Sequence, residues 1–129
     1  MAVPALNNHV LLADDEKSTV ISVAFVLRHC GYEVDTVSDG GEALLRLKND
    51  AKHYQILITD HAMLRVSGLE LVAELRATDF RGKIVVLSAN LTQELMDSYR
   101  SLGADCFIAK PFDLADLRKA VEDLGTAAV

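Results

Sequence analysis

The chain has 129 residues, half of them apolar, and carries 13 basic against 19 acidic side chains for a formal charge of -6. That length suits a single domain spanning residues 1–129, with a folded core of about 8–124 that can bury real apolar surface. The acidic balance works against direct nucleic-acid contact and against anionic lipid, and no apolar run reaches the roughly 18 residues that a membrane span needs.

No basic segment followed by an apolar signal core opens the sequence, so a cytoplasmic location is expected. Cys30 and Cys106 lie far apart and form no CxxC or Cys/His cluster, which reads as two reduced structural thiols.

Along the chain, short apolar runs of strand length alternate with amphipathic stretches. The first run, residues 9–13, ends in Asp14-Asp15. Val20, Val23, Ala24 and Leu27 then keep helical spacing as far as Gly31, a residue suited to a left-handed helix end. A second strand is expected over 33–37 and a third over 55–59, where Ile56-Leu57-Ile58 leads into Thr59-Asp60. The fourth, 83–87, is apolar throughout Ile84-Val85-Val86-Leu87 and ends in Ser88-Ala89. Such continuous runs suit strands covered on both faces of a parallel sheet. Asn90 is placed to cap a helix striped by Leu91, Leu95, Tyr99 and Leu102, which Gly103 would close. A fifth strand, 106–109, ends in Lys110-Pro111, and Asp113 precedes a last helix with Leu114, Leu117, Val121 and Leu124 on one side. The pattern βαβαβαβαβα predicts a doubly wound α/β fold: a five-stranded parallel sheet of order 2-1-3-4-5, flavodoxin-like, with right-handed crossovers and helices on both faces.

In such a sheet ligands bind beyond the carboxyl ends of the strands, where the strand order reverses. Asp14, Asp15, Asp60, Ser88 and Lys110 all stand at strand ends and are therefore expected to converge on one crevice. Each has a plain alternative: the acid pair as turn or capping residues, Asp60 as a loop opener, Ser88 as a helix-entry residue, Lys110 as a surface lysine. Together they ask for more. Carboxylates about 4 Å apart repel by about 1 kcal/mol in water and about 4 at an effective dielectric near 20, so a third one calls for a counter-ion. Oxygen ligands with room for water suit Mg2+. A carboxylate such as Asp60 can attack phosphorus to give an aspartyl phosphate, with Lys110 and the cation spreading the transferring charge and the Ser88 hydroxyl donating to a phosphoryl oxygen.

These residues resemble the receiver domain of bacterial two-component response regulators. The motifs are Leu-Leu-Ala-Asp14-Asp15-Glu16, Ile-Leu-Ile-Thr-Asp60, Val-Leu-Ser88-Ala89 and Ala-Lys110-Pro111-Phe112, and the likeness runs from His9 to Leu124. The resemblance implies that Asp60 is the phosphoacceptor, that Asp15 and Asp60 ligate Mg2+ directly, that Asp14 acts mainly through water, and that the Ala62 carbonyl supplies a backbone ligand. It implies a phosphohistidine donor on a histidine kinase or phosphotransfer protein, and a switch in which Ser88 and Phe107 move together. It also makes the chain a switch that catalyses its own phosphorylation and dephosphorylation rather than a turnover enzyme. Ala62 and Asn90 match positions that flank the acyl phosphate, and Ala62 cannot orient a water, which predicts slow self-hydrolysis.

Two departures stand out. Met63-Leu64 replaces the usual Met-Pro, so the loop toward Gly68 lacks a fixed φ and is expected to be more mobile. His61 directly follows Asp60 and is expected to be a solvated loop histidine. An aspartyl-phosphate hydrolase would want a second acid two residues after Asp60, where Ala62 stands; a flavodoxin-type carrier would want a phosphate loop where Asp14-Asp15-Glu16 stands; a pseudo-receiver would lack part of the constellation. No output domain is expected beyond residues 125–129, so the chain is read as acting alone or as part of something larger. Its output to a downstream protein or a second copy is then expected through the face spanning residues 91–124.

Overall fold

The computed structural model describes residues 8–127. The chain runs β1 (His9–Ala13), α1 (Lys17–His29), β2 (Glu33–Val37), α2 (Gly40–Asp50), a short 3-10 turn (Ala51–His53), β3 (Ile56–Asp60), α3 (Gly68–Leu75), β4 (Lys83–Ser88), α4 (Gln93–Ser101), β5 (Cys106–Ala109) and α5 (Leu114–Ala127). All strand pairs are parallel, in the order β2-β1-β3-β4-β5, which is the order read from the sequence.

The alternation of strand side chains divides the core into two layers. Leu11, Ala13, Leu57, Ile84 and Val86 face α2, α3 and α4, where they meet Leu47, Leu71, Leu75 and Tyr99. Val10, Leu12, Ile56, Ile58, Val85 and Leu87 face α1 and α5, against Val23, Leu27, Leu117 and Val121. Both faces of β1, β3 and β4 are thus covered, which is why their sequences are almost unbroken apolar runs. Each fully buried Val, Leu or Ile contributes about 1.5–3 kcal/mol relative to exposure.

The helix ends follow local chemistry. Gly31 (φ 98°) and Gly103 (φ 91°) take the left-handed conformation after α1 and α4. There Tyr32 N–H reaches back to the Leu27 carbonyl and Ala104 N–H to that of Tyr99, closing each helix with a six-residue loop. At the start of α4 the cap is Thr92, whose side chain accepts from Leu95 N–H, and not Asn90, which sits outside the helix and donates its backbone N–H to Ser88 Oγ. Leu91 likewise precedes α4.

Three further boundaries differ from expectation. β3 starts one residue later, at Ile56, and includes Asp60, which is in register with Leu87 of β4. β4 includes Ser88. α5 continues past residue 124 to Ala127. The opening segment, residues 1–7, on which the absence of a signal sequence was argued, lies outside the described residues, as do residues 128–129. Among the described residues no helix is long and apolar enough to cross a membrane. Cys106 is half-buried as expected of a packed thiol, whereas Cys30, at the end of α1, is exposed.

Candidate functional site

The strand register delivers the site. Ala13 pairs with Thr59, Asp60 with Leu87, and Ser88 with Ala109. Asp14, Asp60, Ser88 and Lys110 therefore stand side by side at the carboxyl edge of four adjacent strands. The chain leaves β1 for β2 on one side and for β3 on the other, so Asp14 and Asp60 flank the point where the strand order reverses. Asp14, Thr59, Asp60 and Ser88 are the buried polar side chains among the described residues, and three of them belong to this edge. Polar groups are not buried without compensation, so their placement here marks the site.

Asp14, Asp15 and Asp60 each present a carboxylate oxygen, and these atoms lie within 4.8 Å of one another. Asp14 is 1% exposed and Asp60 6%, while Asp15 faces solvent. Lys110 answers part of this charge: its Nζ is 2.9 Å from Asp14 Oδ2, 3.5 Å from Asp60 Oδ1 and 3.7 Å from Glu16 Oε1. Burial works against the ammonium, but the hydrogen bond to Asp14 and the charges of Asp14 and Asp60 outweigh it and hold the Lys110 pKa above its usual value. The Lys110–Pro111 peptide is cis.

Asp60 is the most perturbed carboxylate of the group. Burial, followed by the negative charge of Asp14, pushes its pKa from 3.8 up to about 6, with Lys110 pulling the other way. One ammonium thus faces three clustered carboxylates, and the cleft keeps an excess of negative charge.

Ser88, Asn90, Ala62 and Lys110 line one groove with Asp60, together with His61, Ala89, Thr92 and Leu95; its volume is about 390 Å³. Ser88 Oγ accepts from Asn90 N–H at 3.1 Å, which leaves its hydroxyl proton free to donate. Phe107, on β5, is outside this groove and packs with the helix layer of α2, α3 and α4. All the residues singled out from the sequence except Phe107 are therefore gathered at one edge.

Two features were not legible. Glu16 joins the site through Lys110 and through Thr19 Oγ1, which donates to it at 2.6 Å; the Thr19 bond, then Lys110, hold the Glu16 pKa below its usual value. His61 is not a solvated loop residue. It is half-buried, its Nδ1 lies 2.7 Å from the Tyr99 hydroxyl, and burial pushes its pKa down, favouring the neutral ring. A separation of 38 residues kept that pair out of any local pattern.

The loop between β3 and α3 also has more anchors than the missing proline suggested. Arg65, at φ 69°, makes a 2.7 Å bond to Asp39, the N-cap of α2. Val66 N–H donates to the Leu64 carbonyl, and Ser67 and Glu70 form a reciprocal capping box at the start of α3. Leu64 itself is exposed.

Residues 10–122 match the family described as the response regulator receiver domain. The chain belongs to that family. Among similar curated proteins, the response regulator SaeR of Staphylococcus aureus (strain USA300) is 33% identical over 119 residues, covering 92% of this chain and 50% of SaeR. The alkaline phosphatase synthesis transcriptional regulatory protein PhoP of Bacillus subtilis (strain 168) is 30% identical over 119 residues, covering 91% of this chain and 48% of PhoP. The receiver spans about half the length of these relatives. A similar solved structure is the receiver domain of a sensor histidine kinase from Pseudomonas aeruginosa PAO1, described with a magnesium ion coordinated in its active-site cleft. It has a TM-score of 0.80 and 26% identity, over 92% of this chain and 97% of that one. The chain is thus a receiver domain of two-component response regulators, a signalling switch.

The residues of this receiver fit a hard divalent cation. The donors are all carboxylate oxygens, they are close enough to share one ion, and the charge that Lys110 leaves unbalanced is negative.

Proposed function

We propose that Asp60 accepts a phosphoryl group from a phosphohistidine of a histidine kinase or phosphotransfer protein, in a Mg2+-dependent reaction in the cytoplasm, and that the receiver then signals to a partner. The observation that carries this is the setting of Asp60: a buried carboxylate at the end of a central strand, within reach of Asp14, Asp15 and Lys110, lining a groove with Ser88. An Asp60 Oδ atom forms the new O–P bond as the P–N bond to the donor imidazole breaks, and the bonding pair leaves on the imidazole nitrogen. Lys110 sits beside Oδ1, where its charge favours the ionised nucleophile and then the phosphoryl oxygens. Ser88, its proton uncommitted, donates to one of those oxygens. Asp14, Asp15, Asp60 and the Ala62 carbonyl would hold Mg2+, which would supply positive charge against that of the transferring group.

Self-dephosphorylation belongs to the same proposal. Ala62 offers no polar side chain to orient a water over the acyl phosphate, which supports a slow return to the resting state, whereas Asn90, in the same groove, offers an amide that could orient such a water from the other side. The surface from α4 through β5 to α5, next to Ser88 and Phe107, is the proposed route to a downstream protein or a second copy.

Beryllofluoride with Mg2+, a mimic of an acyl phosphate, tests the assignment. A bound 19F signal in the wild type that vanishes in Asp60→Asn is expected. The same signal in both proteins would overturn it.

A further inference from the structure

Tyr99 is the residue that α4 buries completely, although its side chain ends in a hydroxyl. A buried hydroxyl without a partner is costly. This one shares a hydrogen bond with His61 Nδ1, at 2.7 Å, in which Tyr99 donates when the imidazole proton is on Nε2. The space for the hydroxyl exists because residue 68 is glycine: a Cβ there would lie 2.6 Å from Tyr99 Oη and 2.5 Å from the Asp60 carbonyl oxygen. Tyr99 therefore touches the segment that carries the acceptor and not merely the core in general.

His61 is itself held by the backbone of both neighbours. Its N–H donates to the Leu87 carbonyl at 3.0 Å, and its carbonyl accepts from Gly68 N–H at 2.9 Å. Leu87 immediately precedes Ser88, so His61 is tied to the strand end that carries Ser88. From His61 the path leads to Tyr99, whose ring meets the imidazole edge-on (77°, centroids 5.6 Å apart) and meets Phe107 in the same manner (67°, 6.1 Å). Arg100, next along α4, places its guanidinium 5.1 Å from the Phe107 ring centre. One continuous set of contacts thus joins the acceptor strand, β4, β5 and α4.

We propose that Tyr99 is a positioning residue that couples the state of Asp60 to α4 through its hydrogen bond to His61, so that α4 and Phe107 respond to phosphorylation together. The inference rests on Asp60 being the acceptor. It adds a route to α4 that does not depend on the Ser88 hydroxyl alone, and it gives the histidine after the acceptor a task in signalling.

Tyr99→Phe removes one oxygen and keeps the ring. His61→Ala removes the partner of the Tyr99 hydroxyl, whereas His61→Asn can offer its amide group near the place of Nδ1. Each protein is loaded with Mg2+ and beryllofluoride, with 19F NMR reporting occupancy at Asp60 and amide NMR reporting α4. In the wild type, amides of residues 93–101 shift on loading. Tyr99→Phe should keep the bound 19F signal and lose the α4 shifts, His61→Ala should lose them too, and His61→Asn should restore them. A merely structural role for Tyr99 predicts no such rescue. Full α4 shifts in loaded Tyr99→Phe or His61→Ala would overturn the coupling while leaving the acceptor assignment intact. A wild type without a bound 19F signal would overturn both. Should Tyr99→Phe fail to fold, the contrast between the two His61 variants decides.

Discussion

At Asp60, burial and the charge of Asp14 both oppose ionisation, and Lys110 only partly offsets them. The consequence is a pH dependence of stability with a definite sign. Between about pH 4 and 6 the folded chain holds a proton on Asp60 that the unfolded chain releases, so this residue makes the metal-free fold less stable as pH rises through that window. Asp60→Asn removes the effect. In EDTA the variant should match the wild type in relative terms near pH 4 and gain over it by up to about 3 kcal/mol above pH 6, the most that a shift of about two pKa units allows. Urea unfolding of both proteins at several pH values measures this, and a constant difference from pH 4 to 7.5 would contradict it. That Asp60, Asp14 and Lys110 would meet was legible, because each ends an apolar run and strand ends converge. How strongly they perturb one another was not, because burial and distance depend on the neighbouring strands. His61 and Tyr99 were hidden for a related reason: a histidine after a strand and a tyrosine on a helix stripe each satisfy a local pattern that makes no reference to the other.

Among the elements, the loop from β3 to α3 departs most from expectation. Without proline at Leu64, mobility was the natural inference, yet the Arg65 bond to Asp39 and the Ser67–Glu70 capping box tie both ends of its second half. Neither tie could be seen beforehand, since Asp39 lies 26 residues from Arg65. The strand positions were legible to within a residue, because β-rich apolar runs have sharp polar ends. The start of α4 was not, since Asn90 and Thr92 are both good caps and only the turn after Ser88 selects between them. Gly68 is where this loop is least tolerant. A methyl group there would meet the Asp60 carbonyl oxygen at 2.5 Å, a backbone atom that cannot swing away. Gly68→Ala should therefore cost about 1–3 kcal/mol in denaturant unfolding and slow phosphorylation by displacing the acceptor segment. Unchanged stability would show that the loop can yield.

For the molecule as a whole, the two-layer core makes a rigid platform and leaves the charge problem at one edge. The platform was readable from the alternation of runs and stripes, since three strands covered on both faces admit few arrangements. Three carboxylates and one lysine make an edge that a cation should stabilise in proportion to its binding. Mg2+ at about 100 times its dissociation constant should raise the unfolding free energy by about 2.7 kcal/mol, read as a rise in melting temperature. Asp15→Asn should lose most of that rise while keeping its fold in EDTA. An equal rise in both proteins would remove Asp15 from the metal site.

The central claim concerns which atom takes the phosphate, and that can be measured directly. The purified receiver is incubated with a small-molecule phosphoramidate and Mg2+, digested, and the position of the added phosphate located by mass spectrometry; following its loss over time then gives the rate of self-hydrolysis. The account predicts one labile phosphate, on Asp60, dependent on Mg2+ and absent from Asp60→Asn. A phosphate that is stable on a serine, or labelling of Asp60→Asn at the wild-type level, would contradict it.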